Sequence, residues 1–280
     1  MAETTAHSEL LADQVASLLI QPLEAESVVL SSGVSIFDTA SVLRIPKLVS
    51  SAPVSFVGES EEIPDDHSTE FDQIVLMPTD RKSIKVIDRY SRELVRQSVV
   101  GIDAVLKNRL VKVVSDALDT ALLTGDGTNH SITGLINQAG VQQADWDIEN
   151  PDSFLNAIAK ASAAEVKPNR WFFNGGDFIN LRKLKESLSS ARYLLESDVT
   201  AGPTYSLFGI PVTVTNKLPS GVTVLADTSQ IAVARDLAPS VTVLTERYAE
   251  FDEIGIRVVT RYDLGLLHPE AVVLMDGRNS

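Results

Sequence analysis

The longest regular signal in this 280-residue chain runs from Arg92 to Leu123. Val95, Val99, Ile102, Leu106, Leu110, Val113, Ala117 and Ala121 recur at spacings of three or four, which lines apolar groups along one face of an α-helix. Ser91 offers an N-cap ahead of Arg92-Glu93-Leu94, and Gly125-Asp126-Gly127 stops the run. A helix of roughly 32 residues is a rod of about 48 Å at 1.5 Å per residue, against an average of about three turns in globular proteins. Gly101 lies inside it and marks a bend or a close contact.

Ahead of the rod, residues 41–87 read as strands. Leu43, Ile45 and Leu48 interleave with Val42, Arg44 and Lys47, Val54–Val57 follows, and the chain returns through Phe71–Met77 and Ser83–Ile87. Between them stands GESEEIPDDHSTE, residues 58–70, rich in acids and turn formers and nearly without apolar groups. The pattern predicts a long hairpin with a solvated acidic tip. Residues 2–30 carry a short amphipathic pattern (Leu10, Leu11, Val15, Leu18, Leu19) broken by Pro22, read as a short helix and extended chain. An arm reaching a neighbour and a disordered tail are equally compatible with it.

Beyond the rod the chain mixes elements. Asn150-Pro151 opens a helix to about Val166, Trp171–Phe173 is a strand, and Asp177 caps a helix from Phe178 to about Ser189. Strands follow at 211–215, 222–226, 231–234 and 241–244, with an alternating stretch at Ile254, Ile256 and Val258 and a last apolar run at 271–275. Without regular βαβ alternation this order indicates an α+β fold.

Little in the sequence looks like chemistry. There is no cysteine, so disulfides and thiolate sites are excluded. His7, His67, His130 and His268 are scattered without ligand spacing. Gly125-Asp126-Gly127-Thr128 lacks the Lys-Ser/Thr of a phosphate loop, and Asn174-Gly175-Gly176-Asp177 puts a carboxylate where an anion would sit. The cluster Glu59, Glu61, Glu62, Asp65 and Asp66 has no calcium-loop spacing. A formal net charge of -14 opposes duplex binding, which Lys and Arg dominate. No apolar run nears the roughly 20 residues of a membrane span, and Met1–Leu10 does not read as a signal peptide. The expectation is a non-enzyme with no cofactor, no metal, no membrane and no specific nucleic-acid binding.

Five segments in series carry a resemblance. Val57-Gly58-Glu59 with Ile63-Pro64 and Phe71–Met77 is one, and Ser91–Ser98 is the second. Leu123–Thr128 with Gly134-Leu135 is the third, Phe208-Gly209-Ile210-Pro211-Val212 the fourth, and Leu266–Ala271 the last. In this order they resemble the HK97-type major capsid protein of tailed bacteriophages over essentially the whole chain.

The resemblance implies an N-terminal arm (1–40), an E-loop β-hairpin (41–88), a peripheral domain with its spine helix (89–135), an axial domain (136–246) and peripheral return strands with the C-terminus (247–280). It implies a structural subunit that self-assembles into pentamers and hexamers of an icosahedral shell around packaged double-stranded DNA, located in the virion and assembled in the host bacterial cytoplasm. Glu59, Glu61, Glu62, Arg92, Glu93, Gly125, Asp126, Gly127, Gly209 and Pro211 become the assembly-critical candidates. Some relatives cross-link an E-loop Lys to a peripheral Asn with help from a Glu. The corresponding positions fall near Glu62 or Ile63, Asp252 and Val259, none of which has that chemistry, so no cross-link is expected. The arm-like sequence begins almost at Met1, so a separate scaffolding protein is expected, with portal and decoration proteins as further partners. Two rivals keep their place at this point. One is an encapsulin-type nanocompartment shell. The other is an unrecognised metal-dependent hydrolase using Asp126, His130 or Asp177. A tail or decoration protein would lack the long spine.

Overall fold

The computed structural model describes residues 26–48, 71–77, 83–91, 102–128, 130–185, 205–244 and 246–278. Among them the rod appears as α1 (Ile102–Thr124). Gly101 and the start expected at Arg92 lie outside the described residues, and Ser91 ends a strand, with Glu253 as its partner.

The buried face of α1 keeps Leu110 of the expected one and differs beyond it. Val111, Val114, Leu118 and Leu122 are buried, while Val113 is 45% exposed and Ala117 is exposed. Both sets have helical period, and size decides between them. Leu118 and Leu122 remove more apolar surface from water than Ala117 and Ala121 would, at about 25 cal/mol per Å².

Two sheets meet this helix. The first has the order β1 (Ser35–Asp38), β10 (Ile231–Leu244), β11 (Glu253–Leu266), β4 (Ile84–Ser91). β1 runs parallel to β10, and β11 is antiparallel to both β10 and β4. The stretches expected as two strands at 231–234 and 241–244 are one strand, with a register shift between Asp236 and Ser240. Pro239 lies within that shift, where a residue without an N–H breaks no ladder bond to β11.

The second sheet has six strands: β5 (Gln142–Ala144), β12 (Val272–Asp276), β9 (Val222–Ala226), β6 (Arg170–Phe173), β8 (Ile210–Val214) and β7 (Ser206–Leu207). β9 is buried at every position, the pattern of a central strand covered on both faces. Val222, Val224 and Leu274 share one core with α1 and with Ile231, Val233 and Val258 of the first sheet. On the opposite face Trp171, Phe173, Leu225 and Val273 pack against α2 (Asp152–Ala163) and α3 (Gly175–Arg182). Phe154 meets Trp171 edge-on at 5.9 Å and Phe173 at 5.7 Å.

Both helix starts show local sequence logic. The Asn150 side chain accepts from the Asp152 amide at 3.1 Å, as expected. At α3 the expected cap is displaced. Asn174 caps it, accepting from the Gly176 amide at 2.9 Å, and Asp177 is buried inside the first turn. α3 ends at Arg182, whereas the expected helix ran to about Ser189; positions 186–189 lie outside the described residues.

The sheet edges of the second layer are guarded. Lys160 on α2 donates from Nζ to the Gln143 carbonyl at 2.6 Å, occupying an acceptor on edge strand β5. The opposite edge, β7, is only two residues long.

Candidate functional site

The hairpin expected ahead of the rod has its base in β2 (Leu43–Leu48) and β3 (Phe71–Leu76), paired antiparallel from Leu43↔Leu76 to Leu48↔Phe71. Ser83–Ile87, read as part of its return, joins β11 instead. The base packs on the first sheet through Leu76 and Met77 against Ala232 and Ala234. Small residues let it come close: a Cβ on Gly265 would sit 2.7 Å from Leu76 Cδ2. Met77 is left-handed at φ 55, and its amide donates to Asp263 Oδ2 at 2.8 Å. Asp263 is 4% exposed, and its other oxygen accepts from the Leu264 amide at 3.0 Å.

The turn after α1 is closely knit. The Gly125 amide donates to the Ala121 carbonyl at 3.0 Å and Gly134 to the Gly125 carbonyl at 2.8 Å. Asn137 Nδ2 reaches the Gly125 carbonyl at 2.8 Å. Asp126 is exposed and accepts from Ser131 Oγ at 2.6 Å, Thr128 Oγ1 at 2.5 Å and the Thr128 amide at 2.9 Å. These hydroxyls, Ser131 first, hold its carboxyl at about 2.

A carboxylate held so low is a poor general base near neutral pH. His130 is an exposed residue at φ 64. Asp177 is 4% exposed and accepts from Ser220 Oγ at 2.8 Å and the Gly221 amide at 2.7 Å, which ties the β8–β9 loop to α3. Each of the two aspartates of the hydrolase reading thus has both carboxylate oxygens hydrogen-bonded within the subunit.

Gly209 and Pro211 lie in the β7–β8 hairpin. Phe208 at φ 51 and Gly209 at φ 81 form its two-residue loop, the left-handed pair that matches strand twist. Pro211 pairs with Ser206. Around this corner Ile179, Tyr205, Phe208 and Val214 are 55%, 39%, 41% and 38% exposed, and Arg182 lies over the Tyr205 ring at 5.0 Å.

Of the cross-link positions, Asp252 is exposed in a left-handed conformation at φ 50 after a short turn, and Val259 lies half-buried on β11 opposite Ser240 and Lys85. Glu59, Glu61, Glu62, Ile63, Arg92 and Glu93 lie outside the described residues.

Sequence reasoning missed Asp119. It is 2% exposed on the inner side of α1. It accepts from Ser27 Oγ at 2.6 Å, the Val28 amide at 2.9 Å and the Val29 amide at 3.2 Å. Its partners are about ninety positions away in the chain, so no local motif announces it. Among the described residues no group of three or more His, Asp or Glu is placed to hold a metal, and no helix is long and apolar enough to cross a membrane.

No curated protein matches the chain in sequence. Among solved structures, the capsid of the native GTA particle superposes with a TM-score of 0.73 at 15% identity, covering 89% of both chains. A chain from Microbacterium phage Oxtober96 gives 0.69 at 15% identity with 89% of each covered. One from Mycobacterium phage Bobi gives 0.65 at 19% identity, covering 90% of this chain and 91% of that one. These likenesses establish the HK97-like fold. The profile of the phage capsid family matches residues 8–277, and the chain belongs to that family.

Proposed function

We propose that the chain is a major capsid protein whose copies assemble into pentamers and hexamers of an icosahedral shell around double-stranded DNA. One observation carries this reading: the match to the GTA capsid chain covers 89% of each partner. The resemblance therefore extends over most of both chains, and not over a single module. The family match favours a phage shell over a nanocompartment of the encapsulin type.

In this reading α1 is the spine and β2–β3 the base of the E-loop. The first sheet belongs to the peripheral domain, which moves β10 out of the axial span expected at 136–246, and the six-stranded sheet with α2 and α3 belongs to the axial domain. Strand β12 then ties the C-terminus into the axial sheet, although it follows the peripheral return strands in sequence. The role is structural and not catalytic, and the mature subunit resides in the virion after assembly in the host cytoplasm. Scaffolding, portal and decoration proteins are its further partners, and no lysine–asparagine cross-link forms.

Electron microscopy of the purified chain, alone and co-expressed with a scaffolding protein from its own gene neighbourhood, tests the reading. Closed polyhedral particles are expected. A well-behaved monomer at high concentration under both conditions would overturn it.

A further inference from the structure

Among the described residues three charged side chains are buried, and all are aspartates: Asp119, Asp177 and Asp263, at 2%, 4% and 4% exposure. Burying a carboxylate is costly unless hydrogen bonds replace its water. Each of the three takes at least one of those bonds from a backbone amide of a remote segment, which is held where the carboxylate stands. Asp177 holds the loop at Ser220 and Gly221, within the body of the six-stranded sheet.

The other two act at roots. Asp119 receives Ser27 Oγ and the amides of Val28 and Val29, and Ser27 Oγ in turn accepts from the Leu30 amide at 3.2 Å. Val29 and Leu30 sink into the α1 core beside it, and Ser32 is held from the far side by Thr228 Oγ1 at 3.1 Å. The chain is therefore fixed in position and direction where residues 1–26 join the body. Asp263 pins one point where β3 ends, the Met77 amide, while its other oxygen accepts from the adjacent Leu264 amide.

We infer that Asp119 and Asp263 are positioning residues for assembly: two buried carboxylates on the rigid body that set where, and at what angle, the N-terminal segment and the E-loop hairpin leave it. The inference rests on the capsid reading. In a shell, each copy must present the same contacts to every neighbour. A root held loosely would present them differently from copy to copy, so the two anchors govern whether copies close into a particle.

The prediction separates anchoring from ordinary stability by comparing Asp119→Asn and Asp263→Asn with Asp177→Asn. An Asn keeps the shape of the side chain but presents an amide NH₂ where an oxygen accepted. Hydrogen exchange on unassembled subunits is expected to quicken by about tenfold or more at Val28 and Val29 in Asp119→Asn, and at Met77 in Asp263→Asn, with β9 and β12 unchanged. In electron micrographs these two variants are expected to give open or irregular assemblies, while Asp177→Asn, looser only near Gly221, still closes shells. Should Asp119→Asn not fold, Ser27→Ala removes one bond of the same anchor from the opposite side, with the same expectations in weaker form. Unchanged exchange at the root amides, or normal shells despite quickened exchange, overturns the inference. If the wild-type chain forms no shells at all, the capsid reading fails instead, and the exchange measurements still decide whether the anchors exist.

Discussion

Gly134 and Gly125 touch backbone to backbone: the Gly134 amide donates to the Gly125 carbonyl at 2.8 Å, and a Cβ on Gly134 would lie 2.5 Å from the Gly125 nitrogen. In the other direction a Cβ on Gly125 would lie 2.1 Å from the Ile132 carbonyl oxygen. Backbone cannot swing aside as a flexible side chain can. Gly125→Ala and Gly134→Ala should each destabilise the subunit by about 1–3 kcal/mol, the usual cost of overpacking. Gly209→Ala, which has a φ of 81 but nothing within 4 Å of a Cβ, should cost only the left-handed strain of about 1–2 kcal/mol. Urea denaturation of the three variants checks the ranking.

Asp126 gives the same turn a pH dependence. Its folded value of about 2 lies below the ordinary 3.8 because Ser131 and Thr128 donate to the ionised form. A depressed carboxylate contributes stability that is fully present above the unfolded value and disappears as pH falls through the folded one. The difference in urea midpoint between wild type and Asp126→Ala should therefore stay level from about pH 7 to about pH 4 and shrink toward pH 2. A difference that instead vanished between pH 7 and pH 5 would point to another group.

The aromatic cluster under the six-stranded sheet predicts a large single-site effect. Phe154 is fully buried between Trp171 and Phe173, so Phe154→Ala should cost about 3–5 kcal/mol. Its neighbour Leu155 is 44% exposed, and Leu155→Ala should stay within about 1 kcal/mol. Thermal melts of the unassembled subunit provide the comparison.

At the positions that the resemblance assigns to the covalent link of some relatives, Asp252 and Val259 offer neither an amide acceptor nor a carboxylate helper. Boiled particles should accordingly run on a denaturing gel as a single monomer band, and a ladder of multimers would refute the assignment.

The sequence was informative wherever a feature is local. The Asn150 cap and the β7–β8 loop rest on contacts within a few residues and the glycine turn on contacts within 12, so Asn150, Gly125, Gly127, Gly209 and Pro211 stand out in the sequence. It was less informative where two apolar patterns competed. On α1, Val113, Ala117 and Ala121 have the right period, but Leu118 and Leu122 have the volume. Pro239 and its neighbours split β10 into two apparent strands because a register shift hides strand continuity from alternation. At α3 two capping residues stood three apart, and the nearer one to the helix core, Asp177, was drawn inward by Ser220 and Gly221. The Asp119 and Asp263 anchors were not legible at all, since their partners are far away along the chain.

The pairings of β11 and β12 also say when the subunit can exist. β11 joins β10 to β4, and β12 joins β5 to β9, with Val273 opposite Gln142 and Leu225. Both sheets stay incomplete until the last strands have left the ribosome, and such long-range closure is slow and exposes strand edges meanwhile. A prematurely terminated chain lacks the strand between β5 and β9 and has no finished body to offer its neighbours. The topology thus makes the six-stranded sheet depend, for the strand between β5 and β9, on the one that is translated after every other strand it contains.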